Sequence, residues 1–249
     1  MLYRRIYQFF IIYFIGLTFL FLIKYVLKLS DYVIPSPLEI WQTGHSVFIR
    51  YLFNVIDTLS VAILGHILSI CLATIVGIIG RLTLWIGSFI RVAAYNIQAY
   101  PIVAVAPIIF ILLGDGLSSR LLITAMICYF PLLLSFIGIL SEPVSEIEHF
   151  YEATLRMNWR LQVKIRAFEN INKITTVIVG SGTLAIVGTI VSEFIAANAG
   201  IGHSIRMALY QSDLANVLVS LFLIGICTSL YLVCLEWLVF VVQKKLHRT

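Results

Sequence analysis

Apolar residues run through this chain in long blocks that are hydrophobic on every side, separated by short polar stretches. The blocks cover residues 6–23, 55–80, 92–113, 117–140, 174–197 and 214–242. A helix needs about 20 apolar residues to cross a hydrocarbon core about 30 Å thick. Membrane β-strands alternate polar and apolar positions over only about ten residues. The pattern therefore predicts an all-α integral membrane protein of about six transmembrane helices, with 1–249 as a single transmembrane domain.

One block breaks the pattern. Residues 141–173 hold ten charged side chains: Glu142, Glu146, Glu148, Glu152, Glu169, Arg156, Arg160, Lys164, Arg166 and Lys173. The whole chain has only 17 Lys and Arg and 12 Asp and Glu, so about a third of its charge lies there. Within it Ile147, Phe150, Tyr151, Thr154, Leu155 and Met157 recur at three- and four-residue spacing, which predicts a short amphipathic helix. Such a helix either lies on the bilayer surface or docks its apolar face in a partner's groove. Five acids against five bases argue against adhesion to anionic lipid, which favours a surplus of Lys and Arg.

Composition sharpens the class. Mean hydropathy is +1.02 and only 12% of residues are charged, against roughly a quarter in soluble domains. Cys71, Cys128, Cys227 and Cys234 lie in predicted spans without C-x-x-C pairing and read as small buried hydrophobes. The histidines make no metal signature, and no G-x-x-x-x-G-K-[ST] is present for ATP. Arg4 and Arg5 followed by an apolar run resemble a secretory leader. That run is longer than the 7–15 residues of a leader and lacks a small-residue cleavage site, so it reads as a retained first span.

Charge also predicts orientation. With the N-terminus inside, the inner segments carry Arg4, Arg5, Arg81, Arg91, Arg156, Arg160, Lys164, Arg166, Lys173, Lys244, Lys245 and Arg248. The outer ones carry Lys24, Lys28, Arg50, Arg120 and Arg206. Cytoplasmic loops hold the excess of bases, so both termini and the loop 141–173 are expected in the cytoplasm.

The same residues carry a resemblance. Glu152, Ala153 and Thr154, with Asn158 after them, resemble the E-A-A-x-x-x-G loop of ABC-importer permeases. "IPSPLEIW" at 34–41, "YPIVAVAPIIFILLGDG" at 100–116 and "IVSEFIAANAGIGHSI" at 190–205 are similar to segments of the nitrate, sulfonate and taurine branch, in the expected order. The resemblance implies a homodimeric channel in a bacterial cytoplasmic membrane, contacting lipid and no nucleic acid. It implies two ATPase subunits that hold the ATP, this chain binding no cofactor or metal, and an extracytoplasmic substrate-binding protein. It further implies that Tyr151, Glu152, Ala153, Thr154, Leu155 and Asn158 couple to the ATPase, with no catalysis in this chain. For cargo the resemblance implies a small polar or anionic solute, such as a sulfonate, nitrate, bicarbonate or vitamin precursor, without choosing among them. Here Thr154 and Asn158 replace Ala and Gly; Asn158 is expected to close the helix in the left-handed region, where Asn is the usual substitute for Gly. Asn170 or Asn172 is expected to cap the fifth span.

Inside the membrane, Gly65, Ser69, Ala73 and Gly77, and again Ser181, Ala185 and Thr189, place small residues every fourth position. Such seams let helix backbones approach closely, here most simply within one protomer. Pro101 and Pro107 predict a bent or unwound third span, which makes Tyr100, Pro101 and Pro107 candidates for the translocation path. Glu193 either caps the backbone of residues 200–205 or lines that path. Asp57 and Glu236 are expected to be solvated or paired, and His66 and His203 to be packing residues. A self-sufficient secondary transporter or channel is the rival reading; its inverted repeats or paired intramembrane charges are not visible in the pattern.

Overall fold

The computed structural model describes residues 2–246, and those residues form helices α1 (Leu2–Leu27), α2 (Pro37–Ile79), α3 (Leu84–Gln98), α4 (Ile102–Leu113), α5 (Leu117–Ser141), α6 (Ser145–Ala153), α7 (Trp159–Glu169), α8 (Ile171–Ile195), α9 (Ile201–Tyr210) and α10 (Leu214–Leu246). Arg248, counted above with the inner bases, lies outside the described residues. No strand occurs among them. Among the described residues five helices are long and apolar enough to cross a membrane, or six if the bent pair α3–α4 is counted as one span.

Contacts fix the direction of each crossing. Helices α2 and α5 run parallel, since Arg120 meets Asp57, Ser69 Oγ donates to the Ala125 carbonyl, and Arg81 reaches Ser141. Helix α8 runs against them, with Thr124 bonded to Thr189 and the Cys128 thiol to the Ser181 carbonyl. Helix α10 returns antiparallel to α8, Gln243 donating to Thr175. Helix α1 lies on α10, held by the Arg5–Glu236 pair and by a cluster of Phe9, Phe10 and Tyr13 around Phe222. Ala94 of α3 packs with the second half of α5, and Ala106 and Phe110 of α4 with Ile123 of its first half. The bent pair therefore crosses from one end of the bundle to the other. Six alternating crossings put both described chain ends at the end that carries α6 and α7.

Two boundaries differ from the pattern. Helix α2 is 43 residues long, about 64 Å at 1.5 Å per residue, and extends well before the predicted span. Its start is written locally: Pro37 occupies the first turn, and Ser36 and Glu39 form a reciprocal capping box. The third span is broken where α3 meets α4, at 89°. Pro101 disfavours helical geometry at Tyr100 before it; Pro107, in contrast, sits inside a continuous α4, so it does not unwind the span as expected.

Both small-residue seams pack inside the protomer. Gly65, Ser69, Ala73 and Gly77 are all buried, as are Ser181, Ala185 and Thr189. A Cβ on Gly65 would stand 2.6 Å from Thr124 Cγ2, whereas one on Gly77 would meet nothing nearer than Phe136 Cβ at 3.4 Å. Overpacking a tight contact costs about 1–3 kcal/mol. Gly65→Val should therefore lower the thermal midpoint of the detergent-solubilised protein by roughly 5 °C, while Gly77→Ala leaves it unchanged. Equal midpoints for the two variants would mean that α2 and α5 do not meet at Gly65.

Candidate functional site: the helical hairpin at one end and the buried ion cluster at the other

After α5 ends at Ser141, Pro143 helps to stop it and α6 begins. Helix α6 closes in a Schellman turn. Leu155 N–H donates to the Glu152 carbonyl and Arg156 N–H to that of Tyr151, each at 3.0 Å. The left-handed residue is Leu155, φ 56°, not Asn158. A non-glycine residue there costs roughly 1–2 kcal/mol. Asn158 instead has φ −137° and starts α7, its side-chain oxygen accepting from Leu161 N–H at 2.9 Å. The amphipathic helix is thus shorter than its pattern: Thr154 and Leu155 form a turn, and Met157 lies in the irregular stretch that leads to α7.

Glu152, Ala153, Thr154 and Asn158 are exposed, Tyr151 is half-buried, and Leu155 is 95% exposed at the tip. Glu152 takes part in no ion pair among the described residues. This surface stands on a firm base. Arg166 of α7 grips Glu148 of α6 at both carboxylate oxygens, Nε–Oε1 at 2.6 Å and Nη2–Oε2 at 2.8 Å. Its Nη1 donates to the Leu140 and Ser141 carbonyls at 3.1 and 3.0 Å, groups left open where α5 ends. Arg81, after α2, donates to Gln162 of α7 at 3.2 Å and to Ser141 Oγ at 3.4 Å. Both members of the Glu148–Arg166 pair are buried, and Arg166 holds the Glu148 carboxyl below its ordinary range. The pattern gave no hint of this joint, because its members are 18 residues apart and look like surface charge.

The Asn170 side chain turns back to the Arg166 carbonyl, so no side chain caps α8 there. Asn172 accepts from Gln243 instead.

At the opposite end lies a buried ion cluster. Glu193 has no exposed surface. Its carboxylate accepts from Thr58 Oγ1 at 2.8 Å and from Gly202 N–H at 3.0 Å, and it pairs with Arg120. Arg120 also donates to Asp57 at 2.7 Å. Thr58 Oγ1 in turn accepts from Ile201 N–H at 2.8 Å. The chain turns through Gly200 at φ 91°, so that of the open amides starting α9 that of Gly202 meets the carboxylate and that of Ile201 the Thr58 hydroxyl. Glu193 thus caps backbone and faces no open path in this conformation. Arg120, counted from sequence as an outer-loop base, is its buried counter-ion; the clue was an arginine in the first turn of an apolar run.

Tyr100 and Pro101 stand exposed at the α3–α4 break and Pro107 is exposed on α4; none of them joins Glu193. His66 is buried and fixed by Tyr231 at 2.7 Å and Ser181 at 2.8 Å, and Glu236 is paired with Arg5. His203 Nδ1 lies 2.9 Å from Arg206. No group of three or more potential metal ligands occurs among the described residues.

Comparison with known proteins gives concordant matches. Residues 69–248 match the family described as binding-protein-dependent transport system inner membrane component. A riboflavin transport system permease protein from Chloroflexus aurantiacus is 33% identical over 135 residues, 53% of this chain and 49% of that protein. A formylaminopyrimidine transport permease protein from Halalkalibacterium halodurans is 24% identical over 205 residues, 79% of each. A probable ABC transporter permease protein from Haemophilus influenzae is 25% identical over 223 residues, covering 83% of this chain and 84% of that one.

Proposed function

The chain belongs to the family of inner membrane components of binding-protein-dependent transport systems, a multi-pass membrane permease, and from that premise we propose that it forms the translocation path of an ATP-driven importer and is driven through the α6–α7 hairpin. The observation that carries this reading is the tip of the hairpin. Leu155 is held in a strained conformation, almost fully exposed, close to the exposed Glu152. Strain and exposed apolar surface persist where a partner uses them. The Glu148–Arg166 joint gives the tip a rigid connection to α5, and Arg81 ties the same joint to α2.

In the proposed complex two such chains meet two ATPase subunits, which hold ATP, and a binding protein delivers cargo on the far side. ATP-driven closure of the ATPases would push on the two hairpins, and the buried joint would pass that displacement to the crossings. The relatives named for riboflavin and formylaminopyrimidine favour a vitamin or vitamin precursor within the cargo classes read from sequence.

Glu152→Ala, Ala153→Trp and Leu155→Gly test the docking. All three should insert and melt like the parent, Leu155→Gly slightly higher because its strain is relieved. None should retain the ATPase on co-purification or support uptake. If the three variants hold the ATPase as the parent does, the hairpin is not the docking element.

Orientation has its own check. With the four native cysteines replaced, a cysteine at Arg160 should react only from the cytoplasmic side and one at His45 only from outside. Reaction at 160 from outside in intact cells would invert the protein.

A further inference from the structure

A cavity of about 540 Å³ opens at the level where α2 and α5 end, beside the first turns of α3. Its walls carry three guanidinium groups, Arg81, Arg91 and Arg166, together with Ser88, Ser141 and Gln162. No acidic residue lines it. Arg166 is neutralised by Glu148, but Arg91 takes part in no ion pair among the described residues. Arg81 spends its Nη atoms on Ser141 and Gln162 and leaves its Nε buried without an acceptor. Burial and the cations of Arg166 and Arg91 push the Arg81 guanidinium below its ordinary range, partly offset by Glu148. Arg81 and Arg91 therefore line the cavity with no carboxylate partner among the described residues, and an anion in it would balance their charge.

The neighbouring surface of α3 distinguishes between anions. Trp85 and Phe89 stack with ring centroids 5.5 Å apart on the first turns of α3, and both are exposed. Leu84 is 88% exposed beside the cavity. Aromatic side chains collect where acyl chains meet head groups. A site with a cationic floor and an apolar wall, set where two spans end, fits a molecule that is anionic at one end and greasy at the other.

We propose that this cavity binds the phosphate head group of an anionic phospholipid, with Arg81 and Arg91 as its ligands and Trp85 and Phe89 against its acyl chains. The bound lipid would brace the α2–α3 turn against α7, the helix that carries the hairpin joint. The site does not depend on the ATPase reading, because it is built wholly within this chain.

The experiment uses the full-length protein in an uncharged detergent, titrated with phosphatidylglycerol, phosphatidylcholine or inorganic phosphate, with midpoint shifts and retained lipid by native mass spectrometry as readouts. Phosphatidylglycerol should raise the midpoint and remain bound; phosphatidylcholine should not. Arg91→Gln, which removes an exposed side chain with no structural bond, should weaken phosphatidylglycerol roughly fivefold or more. Lys164→Gln, an equal charge loss on α7, should leave it unchanged. Equal stabilisation by both lipids, or equal loss in both variants, would reduce the effect to general surface adhesion and overturn the site. Full stabilisation by inorganic phosphate alone would make it a free-anion site and overturn the lipid assignment.

Discussion

Arg120→Met should lower the thermal midpoint by on the order of 10 °C and cut the yield of folded protein sharply. Arg120 is the cation between two carboxylates, and Glu193 has no contact with solvent. Removing one member of a buried pair costs about 3–5 kcal/mol because the other charge stays buried without a partner. In a chain of this size each kcal/mol moves the midpoint by about 2–4 °C. The cost should be reversible in a specific way. Glu193→Gln removes the stranded charge, and its side-chain oxygen still accepts from Thr58 and Gly202. Arg120→Met with Glu193→Gln should therefore melt above Arg120→Met alone, a coupling measurable as a double-mutant cycle. A single variant within about 2 °C of the parent, or a double variant that melts lower still, would show that the pair does not hold α5, α8 and α9 together.

Arg166→Gln should uncouple the proposed importer without dissolving the bundle. Its guanidinium makes four hydrogen bonds, two to Glu148 of α6 and two to carbonyls that end α5. The pair is buried, so breaking it again costs about 3–5 kcal/mol, and each 1.4 kcal/mol is tenfold in a population. The hairpin should then sample geometries that no longer track α5. Uptake should fall by more than roughly tenfold and trypsin should cut at Arg156, Arg160 and Lys164 much faster. The exposed tip is untouched, so the ATPase should still co-purify, which separates this loss from that of Ala153→Trp. Lys173→Gln is the matched control. Its bond to Glu142 joins two half-exposed side chains, and such surface pairs contribute about 0–1 kcal/mol. Unchanged uptake and protease resistance in Arg166→Gln would mean that the joint carries no motion.

Several features needed no tertiary information. All-round apolar runs longer than a bilayer is thick can only be satisfied as helices, because lipid offers the backbone no hydrogen bonds. Six crossings, the polar block at 141–173 and the two small-residue seams follow from that and from residue size. Ser36, Pro37 and Glu39 even spell the start of α2, although the polar Glu39, His45 and Arg50 hide five turns of it from a hydropathy reading.

Other features depended on what comes close in space. Pro107 stays within a helix while the chain breaks at Tyr100 and Pro101, although the two prolines look alike in sequence. Leu155 takes the left-handed position instead of Asn158 because a side-chain cap for α7 claims Asn158 first. Arg120 and Glu193 are 73 residues apart, and Glu148 and Arg166 are 18 apart. In sequence Glu193 reads as an intramembrane charge without a partner, and Arg120, Glu148 and Arg166 read as surface charges. Desolvation and pairing are properties of the surroundings, so only the packed helices decide that these charges are buried partners, while Glu152 stays exposed.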